Sequence, residues 1–412
     1  IALGMSFLVG FLSLSQEILW VRVLGFLSQG APYVLSIVSS AFLLGIALGA
    51  ILGKKACSSK NFSYIWILYI WLVIGISDIF LSELLPFIMA ADFNVFALTL
   101  LILFTAALKA SVFPIVHHLF TSSSELYLGR SLSYVYLFNI LGSTLGPLLT
   151  GFILLDLMPL FDVFRLMGII GLIVPLCLMI IWFKKNINLT LPVLIIYMGI
   201  ICWGLFGKLA SFSGYLKVNA PAPVVFISEN RQGVIHIIKD DVKGDIVYGG
   251  NAYDGRTNIS LLKNTNLIDR VFLLSGLHPA PKKVLVIGLS AGAWTKVLLG
   301  NKTIEKIDVV EINPGYLNYI KTDETLGPIL SDQRISIHVN DGRRWLRNLK
   351  NKNYYDLIVI NTTFHWRAHS TNLLSKEMME LVQNSLAPKG IYAFNATGSK
   401  DAHFTASSVF KY

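Results

Sequence analysis

The sequence predicts an α-helical multi-pass membrane bundle, followed by an α/β domain that opens with a small antiparallel β subdomain. Of the 412 residues, 54% are hydrophobic and 14% are charged, and the mean hydropathy is +0.63. Soluble domains carry about 25% charged residues, so a wholly soluble chain is excluded. Residues 1–211 hold 10 of the 34 Lys and Arg residues and 7 of the 24 Asp and Glu residues. The charges therefore divide the chain into a lipid-solvated half and a water-solvated half.

The first half contains apolar segments of about 20 residues or more, the length that crosses a bilayer. Seven segments qualify: 1–25, 33–53, 64–90, 95–117, 131–155, 163–183 and 189–211. We expect residues 1–211 to form a seven-helix transmembrane domain, with the lipid bilayer of a plasma or inner membrane as its partner. Gly45, Gly49 and Gly53 recur every four residues, a spacing that lets two helices pack closely in lipid.

Ionisable residues inside these segments are the candidate polar sites of the membrane half. Glu17 and Arg22 lie in the first segment, and Lys109 lies in the fourth. Because a charge at membrane depth is costly, such a group usually faces a partner, a cavity or the interface. Arg22 can also lie near a lipid headgroup. Tight structural pairing, a transport path and a pocket for a lipid-soluble substrate all stay open.

Basic loops predict the orientation of the bundle. Lys and Arg residues lie in three alternate loops, at positions 54–60, 130 and 184–185, which we expect to be cytoplasmic. Seven crossings then place the soluble domain on the extracytoplasmic side. If one span is miscounted, the domain is cytoplasmic.

The second half begins with a linker and a small antiparallel β subdomain over 212–281, and a Rossmann-like α/β domain follows over 282–412. Short alternating stretches at 224–228, 234–239 and 245–248 predict the antiparallel strands. Apolar strands separated by helix-length segments predict a mostly parallel sheet covered on both faces. These strands are 284–288, 307–311, 335–339, 357–360 and 391–394.

Ligands of such sheets bind beyond the carboxyl ends of the strands. Gly288, Ser290 and Gly292 form the turn after the first strand, where small residues let a nucleotide-like ligand approach the backbone. Glu311 ends the second strand and can accept both hydroxyls of a ribose. Asp341 follows the third strand and can accept a hydrogen bond from an amine such as that of adenine. The glycine turn alone is also typical of a tight strand–helix connection, but its order with Glu311 and Asp341 on consecutive strands favours a site for a nucleotide-like ligand.

The remaining candidates lie beside this site. Gly342 follows Asp341, and Asn361 follows the fourth strand. His365 and His369 lie in the next loop and can act as bases near neutral pH, although a loop histidine is more often structural.

The sequence predicts no nucleic-acid partner and no metal site. The net charge of +10 is spread without a basic run or an aromatic–basic motif. The three cysteines, Cys57, Cys177 and Cys202, all lie in the membrane half, and they build neither a disulfide framework nor a Cys-rich zinc site.

From about Phe226 onward, the sequence resembles the spermidine synthase family of polyamine aminopropyltransferases, which has the class I methyltransferase fold. Five stretches carry the resemblance: 284–292, 309–314, 340–343, 355–359 and 375–379. Stretches 16–22 and 41–45 are similar to the multi-pass region of membrane-fused spermidine synthase-like proteins.

The resemblance implies that the domain binds S-adenosylmethionine or its decarboxylated form, with Glu311 at the ribose and Asp341 at the adenine. The sequence departs from the family pattern at three places, one of which is segment 269–276, where it lacks the His-Glu pattern that family enzymes have near the amine. Asn361 stands where family enzymes have the catalytic aspartate, and Ser290 and Ala291 stand where they have a longer, acidic glycine loop. A neutral amide cannot deprotonate an amine, which argues against authentic spermidine synthesis.

Three function hypotheses follow. The leading one is a divergent adenosyl-binding transferase that moves a methyl or aminopropyl group to an unknown small-molecule acceptor. The alternative is a catalytically degenerate scaffold or assembly subunit that binds protein partners in a membrane complex. A transporter with a regulatory soluble domain is the weaker alternative.

Overall fold

The computed structural model describes residues 2–58, 65–91, 94–120, 125–182, 197–203, 211–349 and 352–410. The chain divides into two compact units, which are described separately. The first comprises Ile1–Leu27, Tyr33–Asn219 and Glu229–Arg231, and the second comprises Ser28–Pro32, Ala220–Ser228 and Gln232–Tyr412.

The first unit is helical. Its helices are α1 (Ala2–Leu27), α2 (Tyr33–Cys57), α3 (Ile65–Met89), α4 (Asn94–Phe120), α5 (Glu125–Leu149), α6 (Leu155–Leu157), α7 (Leu160–Trp182) and α8 (Phe212–Asn219). A π-helical turn, Thr150–Leu154, joins α5 to α6. In the described part of the chain, six helices are long and apolar enough to cross a membrane.

The predicted seventh segment, 189–211, lies largely outside the described residues, as do Lys184 and Lys185. Its described part, residues 197–203, is helical. The count of seven spans and the orientation derived from it therefore stay predictions.

Small residues set the helix packing. The helices pack in the pairs α1–α5, α2–α4 and α3–α7. A Cβ atom at Gly49 of α2 would overlap the carbonyl oxygen of Ala107 in α4, and one at Gly142 of α5 would overlap that of Phe7 in α1. Glycine at these positions lets the helix backbones come into direct contact, as their spacing indicates.

A buried polar cluster joins α1, α3 and α4. Lys109 Nζ lies 2.8 Å from Asp78 Oδ1 and 2.8 Å from Gln16 Oε1, and Gln16 Nε2 donates to the same Asp78 oxygen at 2.9 Å. All three side chains are at most 1% exposed. Glu17 accepts a hydrogen bond from Ser39 at 3.2 Å instead. Lys109 therefore has a charged partner from another helix.

The second unit begins with a four-stranded sheet in the order β1-β2-β3-β4, in which β2, β3 and β4 pair antiparallel. The strands are β1 (Val224–Asn230), β2 (Gly233–Ile238), β3 (Ile246–Gly249) and β4 (Ala252–Arg256). The first three correspond to the predicted strands. Strand β4 was not predicted, because it is short and carries Asp254 and Gly255, which are typical of turns.

The larger sheet has five parallel strands in the order β7-β6-β5-β8-β9. They are β5 (Lys283–Ile287), β6 (Lys306–Glu311), β7 (Ile335–Val339), β8 (Tyr355–Ile360) and β9 (Leu386–Phe394). The helices of this unit are α9 (Asp269–Leu277), α10 (Ala293–Leu298), α11 (Gly315–Ile320), α12 (Gly342–Arg347), α13 (Ser370–Leu373), α14 (Lys376–Ser385) and α15 (Lys400–Val409). This is the predicted Rossmann-type architecture. Its strand order reverses between β5 and β8.

Both faces of the larger sheet are buried against packed side chains. Successive residues of a strand point to opposite faces, so neighbours in sequence belong to different cores. Val286 packs in one core with Ile235 of the small sheet. Its neighbour Ile287 packs in the other core with Met378 of α14. Covering both faces leaves the carboxyl ends of β5, β6 and β8 as the place where polar groups converge.

Candidate functional site

The turn after β5 is held in a left-handed backbone conformation. The φ angles are +90° at Gly288, +49° at Ser290 and +85° at Gly292. A Cβ atom at Gly288 would lie 2.5 Å from the carbonyl oxygen of Asn361, so only glycine allows this approach of β5 to the end of β8. Ser290 Oγ donates a hydrogen bond to the carbonyl oxygen of Asp254 at 2.8 Å.

Glu311 links the end of β6 to this turn. Its Oε2 atom accepts a hydrogen bond from Leu289 N at 2.7 Å, and its Oε1 atom accepts one from Asn313 N at 2.8 Å. The residue is 4% exposed, and burial raises its pKa to about 7. Since each carboxylate oxygen offers about two acceptor sites, Glu311 retains capacity for further donors.

Asp341 caps the helix that follows β7. Its Oδ1 atom accepts a hydrogen bond from Arg344 N at 2.9 Å, and Arg343 Nε lies 3.7 Å from the same oxygen. Gly342 begins α12 at a close contact, because a Cβ there would lie 2.6 Å from Ile287 Cγ2. Asp341 thus has a structural task in addition to any ligand contact.

Two adjoining cavities open at these strand ends. The first, the strand-end cavity, has a volume of about 290 Å³, and Glu311 and Asp341 both line it. The second, the side cavity, has a volume of about 360 Å³. Five residues line both cavities: Asp254, Ser290, Asn361, Thr362 and Thr363. The two cavities therefore adjoin along these five residues, which we call the shared wall.

Asp254 is the ionisable residue of the shared wall. Tyr316 Oη donates a hydrogen bond to its Oδ2 atom at 2.5 Å. Burial raises the pKa of Asp254 to about 6, while the hydrogen bond from Tyr316 and the positive charge of Arg367 act in the opposite direction. Its position gives the site a carboxyl group whose pKa burial raises above the ordinary value of an aspartate.

Arg367 lines the strand-end cavity near this carboxyl. Its guanidinium donates to Thr363 Oγ1 at 3.0 Å and to the carbonyl oxygen of Gly249 at 3.0 Å. Burial lowers its pKa, and the charge of Asp254 raises it. The arginine therefore supplies a fixed positive charge beside Asp254.

The structure separates the residues predicted after β8. Asn361 lines both cavities, whereas His365 lines neither. The Nδ1 atom of His365 lies 3.0 Å from Thr397 Oγ1, and its backbone N–H donates to the same hydroxyl at 2.8 Å, which is a structural role. His369 instead lines the strand-end cavity.

Sequence reasoning missed Asp254, Tyr316 and Arg367 as site residues. The acidic residue before Gly255 was the available signal for the first of them, but a short polar segment indicates a turn. No group of three or more His, Cys, Asp or Glu side chains that could hold a metal ion occurs among the described residues.

Residues 271–409 match the family model of the spermine/spermidine synthase domain. The resemblance to the spermidine synthase family is confirmed. A polyamine aminopropyltransferase of Clostridium botulinum (strain Eklund 17B / Type B) is 34% identical over 145 residues, which cover 32% of this chain and 50% of the relative. The chain thus spans about half the length of such relatives.

A longer similarity includes the helical half. A polyamine aminopropyltransferase of Oceanobacillus iheyensis is 23% identical over 401 residues, covering 92% of this chain and 74% of that protein. Among solved structures, a spermidine synthase in complex with the transition state analogue AdoDATO is 21% identical, with a TM-score of 0.39. That alignment covers 45% of this chain and 65% of the solved one. The spermidine synthase of Thermotoga maritima is 20% identical, with a TM-score of 0.38, over 45% and 64% of the two chains.

The spermidine synthase-like domain combines expected and unexpected features at its strand ends. Glu311 and Asp341 line one cavity, in the order that the resemblance implies. Asn361 occupies the wall between the cavities, where the resemblance places an aspartate. The carboxylate of that wall is Asp254, which comes from the small antiparallel sheet.

Proposed function

We propose that the chain is an integral membrane transferase whose spermidine synthase-like domain binds an adenosyl cosubstrate and transfers an aminopropyl or methyl group to a small-molecule acceptor. The observation that carries this proposal is the pair of adjoining cavities. One has Glu311 and Asp341 in its lining, and both share Asp254 and Asn361.

The membrane part of the proposal rests on the first unit. Six of its described helices are long and apolar enough to cross a bilayer. The similarity to the Oceanobacillus iheyensis aminopropyltransferase extends over 92% of this chain, and so includes most of these helices. We infer that the helices anchor the transferase domain at a membrane and that the acceptor reaches the domain there.

The strand-end cavity suits S-adenosylmethionine or decarboxylated S-adenosylmethionine. Glu311 keeps acceptor capacity for the two hydroxyls of a ribose, and Asp341 can accept a hydrogen bond from the adenine amine while Oδ1 caps α12. The left-handed turn from Gly288 to Gly292 brings the backbone close to the ligand. These residues would hold the adenosyl group.

Decarboxylated S-adenosylmethionine supplies an electrophilic carbon beside a sulfonium. The acceptor nitrogen forms a C–N bond to this carbon as the C–S bond breaks, and the electron pair of the C–S bond leaves with the sulfur as a neutral thioether. Asp254 lies in the shared wall and takes the proton of the nitrogen. A base with a pKa near the working pH suits this task, and the pKa of Asp254 is about 6. Asn361 can orient the acceptor by hydrogen bonds but takes no proton.

Calorimetry on the purified chain in detergent tests the binding step, with S-adenosylmethionine, its decarboxylated form and methylthioadenosine as ligands. We expect binding that is weakened roughly 100-fold in Glu311→Ala and kept in Lys376→Ala, which changes an exposed residue of α14. A transfer assay tests the chemistry: Asp254→Asn should bind the adenosyl ligand normally and turn over at least 100-fold more slowly. Absence of adenosyl binding would overturn the proposal.

A catalytically degenerate scaffold is the second candidate function. Two observations favour it, since both oxygens of Glu311 already accept backbone hydrogen bonds and Asp341 already caps a helix. The acids thus have structural roles that a domain without a ligand would also need. A chain that binds no adenosyl ligand but copurifies with stoichiometric membrane proteins would support the scaffold.

The proposed cosubstrate is made in the cytosol, so the transferase hypothesis places the soluble domain on the cytoplasmic side. A single cysteine introduced at the exposed residue Lys302, with Cys57, Cys177 and Cys202 replaced by serine, reports the side. We expect an impermeant maleimide to label it in inside-out vesicles and not in intact cells. The reverse pattern would contradict the transferase hypothesis.

A further inference from the structure

The charge of the side cavity is unusual for a site that receives polyamines. Three of its lining residues are charged: Asp254, Arg256 and Arg270. A polyamine such as putrescine carries an ammonium group at each end at neutral pH, so a matching site needs a carboxylate for each end. The described lining of this cavity offers one carboxylate and two guanidinium groups.

The two arginines differ in how far their charges are compensated. Arg256 Nη1 lies 2.6 Å from Asp240 Oδ2 and donates to the carbonyl oxygen of Gly244 at 2.8 Å. Its charge is therefore neutralised by a carboxylate outside the cavity lining. Arg270 is exposed in the first turn of α9 and forms no ion pair within the described part of the chain. Its guanidinium is free to meet an anion.

Asp254 and Arg270 occupy different parts of the cavity. Asp254 lies in the wall shared with the strand-end cavity, whereas Arg270 lines the side cavity alone. The lining of the side cavity also includes the aromatic residues Tyr253, Trp294 and Phe364, whose side chains suit a methylene chain. The cavity thus presents a carboxyl in the shared wall and a guanidinium in the part of its lining that is not shared.

Deepening the proposed function, on which this inference rests, we propose that the acceptor is an amine that also carries an anionic group, a carboxylate or a phosphate. In this proposal its amine lies at the shared wall beside Asp254, where transfer takes place. Its anionic group pairs with Arg270, whose planar guanidinium can bind a carboxylate or phosphate through two parallel hydrogen bonds. In the transfer, the amine nitrogen forms the new bond to carbon, the sulfur leaves as a neutral thioether, and the released proton passes to Asp254.

Putrescine and 4-aminobutyrate provide a matched pair of probes, because both have an amine on a short methylene chain and differ in the charge of the other end. O-phosphoethanolamine provides the phosphate arm. Binding of each to the purified chain in detergent is measured by calorimetry, with and without methylthioadenosine. We expect 4-aminobutyrate or O-phosphoethanolamine to bind at least tenfold more tightly than putrescine.

Charge-changing variants identify the residue responsible. Arg270→Glu should reverse the preference in favour of putrescine, and Arg270→Lys should keep the preference for the anionic amines. Arg347→Glu is the matched control, because it changes the net charge by the same amount as Arg270→Glu. Arg347 is exposed at the end of α12 and lines neither cavity. This control should leave the preference unchanged.

The outcomes separate this inference from the proposed function. If the unaltered chain does not bind methylthioadenosine, the proposed function is overturned, whatever the affinities for the three amines are. If methylthioadenosine binds but putrescine binds as tightly as both anionic amines, only the inference of an anionic acceptor is overturned. The same holds if methylthioadenosine binds and none of the three amines does. If Arg347→Glu reverses the preference just as Arg270→Glu does, the inference of an anionic acceptor is also overturned. The preference would then depend on the net charge of the chain and not on the cavity.

Discussion

Tyr316 donates a hydrogen bond to Asp254, with 2.5 Å between Oη and Oδ2. The two residues lie 62 positions apart, on α11 beside the parallel sheet and on β4 of the small antiparallel sheet. A Cβ atom at Gly249 would overlap Tyr316 Oη, so glycine at that position makes room for the phenol. The bond fixes a carboxyl group of the small sheet where the two cavities adjoin at the strand ends of the larger sheet.

Removing this hydrogen bond should move the titration of Asp254. A hydrogen bond to a charged group contributes about 1.5–3 kcal/mol, and one pKa unit corresponds to about 1.36 kcal/mol. Tyr316→Phe removes a donor that favours the ionised carboxylate, so the pKa of Asp254 should rise from about 6 by roughly one unit or more. Since the base acts when ionised, the acid limb of the pH–rate profile should move to higher pH. The measurement is methylthioadenosine release as a function of pH.

Tyr354→Phe is the control for this change, because Tyr354 lines neither cavity. Its profile should match that of the unaltered chain. An acid limb that does not move in Tyr316→Phe would show that another group accepts the proton.

Adenosyl binding should depend on pH through Glu311. Burial raises its pKa to about 7, and ribose hydroxyls donate more strongly to the ionised form. Affinity for methylthioadenosine should therefore rise from pH 6 towards pH 8, with proton release on binding, and level off above the pKa. Glu311→Ala should lower affinity at pH 8 by roughly 100-fold, since two charge-assisted hydrogen bonds are lost. Calorimetry in buffers of different ionisation enthalpy measures both quantities.

Asp341 allows its structural and binding roles to be separated. Asn caps a helix about as well as Asp, whereas Ala does not, at a cost of about 1 kcal/mol. Asp341→Asn should therefore keep the free energy of unfolding unchanged but bind adenosyl ligands more weakly. Asp341→Ala should lower both the free energy of unfolding and the affinity for adenosyl ligands. Equal affinity in the Asn variant and the unaltered chain would limit Asp341 to its capping role.

The sequence allowed the parallel sheet and part of the site to be predicted, because both depend on local signals. Short apolar runs mark β5 to β8, and the carboxyl ends of parallel strands necessarily share one edge, which brings Gly288, Glu311 and Asn361 together. Asp254 escaped prediction because its partner Tyr316 is distant in sequence and no periodicity connects them.

The helical unit shows the same division. The sequence marks Lys109 as a residue that needs a partner, because its segment is apolar. It does not mark Asp78 or Gln16 as that partner, since the choice depends on how α1, α3 and α4 pack. His365 and His369 were equal candidates by type, and the fold of one loop places only the second in a cavity lining.

The effect of the amide at position 361 on acceptor binding can be tested by replacing Asn361 with aspartate. Asn361→Asp adds a carboxylate to the lining of both cavities, which supplies a counterion for a cationic acceptor. We expect putrescine to bind roughly tenfold more tightly and methylthioadenosine release with putrescine to increase. Asn361→Ala is the control, because it removes the amide without adding charge. Unchanged putrescine affinity in the aspartate variant would mean that the shared wall does not contact the acceptor.

The buried cluster of Lys109, Asp78 and Gln16 should be a strong stability determinant of the helical unit. Removing one member of a buried ion pair leaves an uncompensated charge and costs about 3–5 kcal/mol, whereas replacing both members with apolar residues is often neutral. Lys109→Met should therefore lower the free energy of unfolding strongly, and Lys109→Met combined with Asp78→Leu should recover most of it. Equilibrium unfolding in mixed micelles measures both, with the exposed Lys54→Met as the control.

The double variant also decides between structure and transport. A merely structural cluster can be replaced by apolar residues without loss of function, because packing substitutes for the ion pair. A transport path cannot, since a solute or proton crossing the bundle needs the polar groups themselves. A stable double variant that retains transferase activity in proteoliposomes would assign the cluster to the anchor. A stable double variant that loses uptake of a solute would instead make transport a function of the bundle.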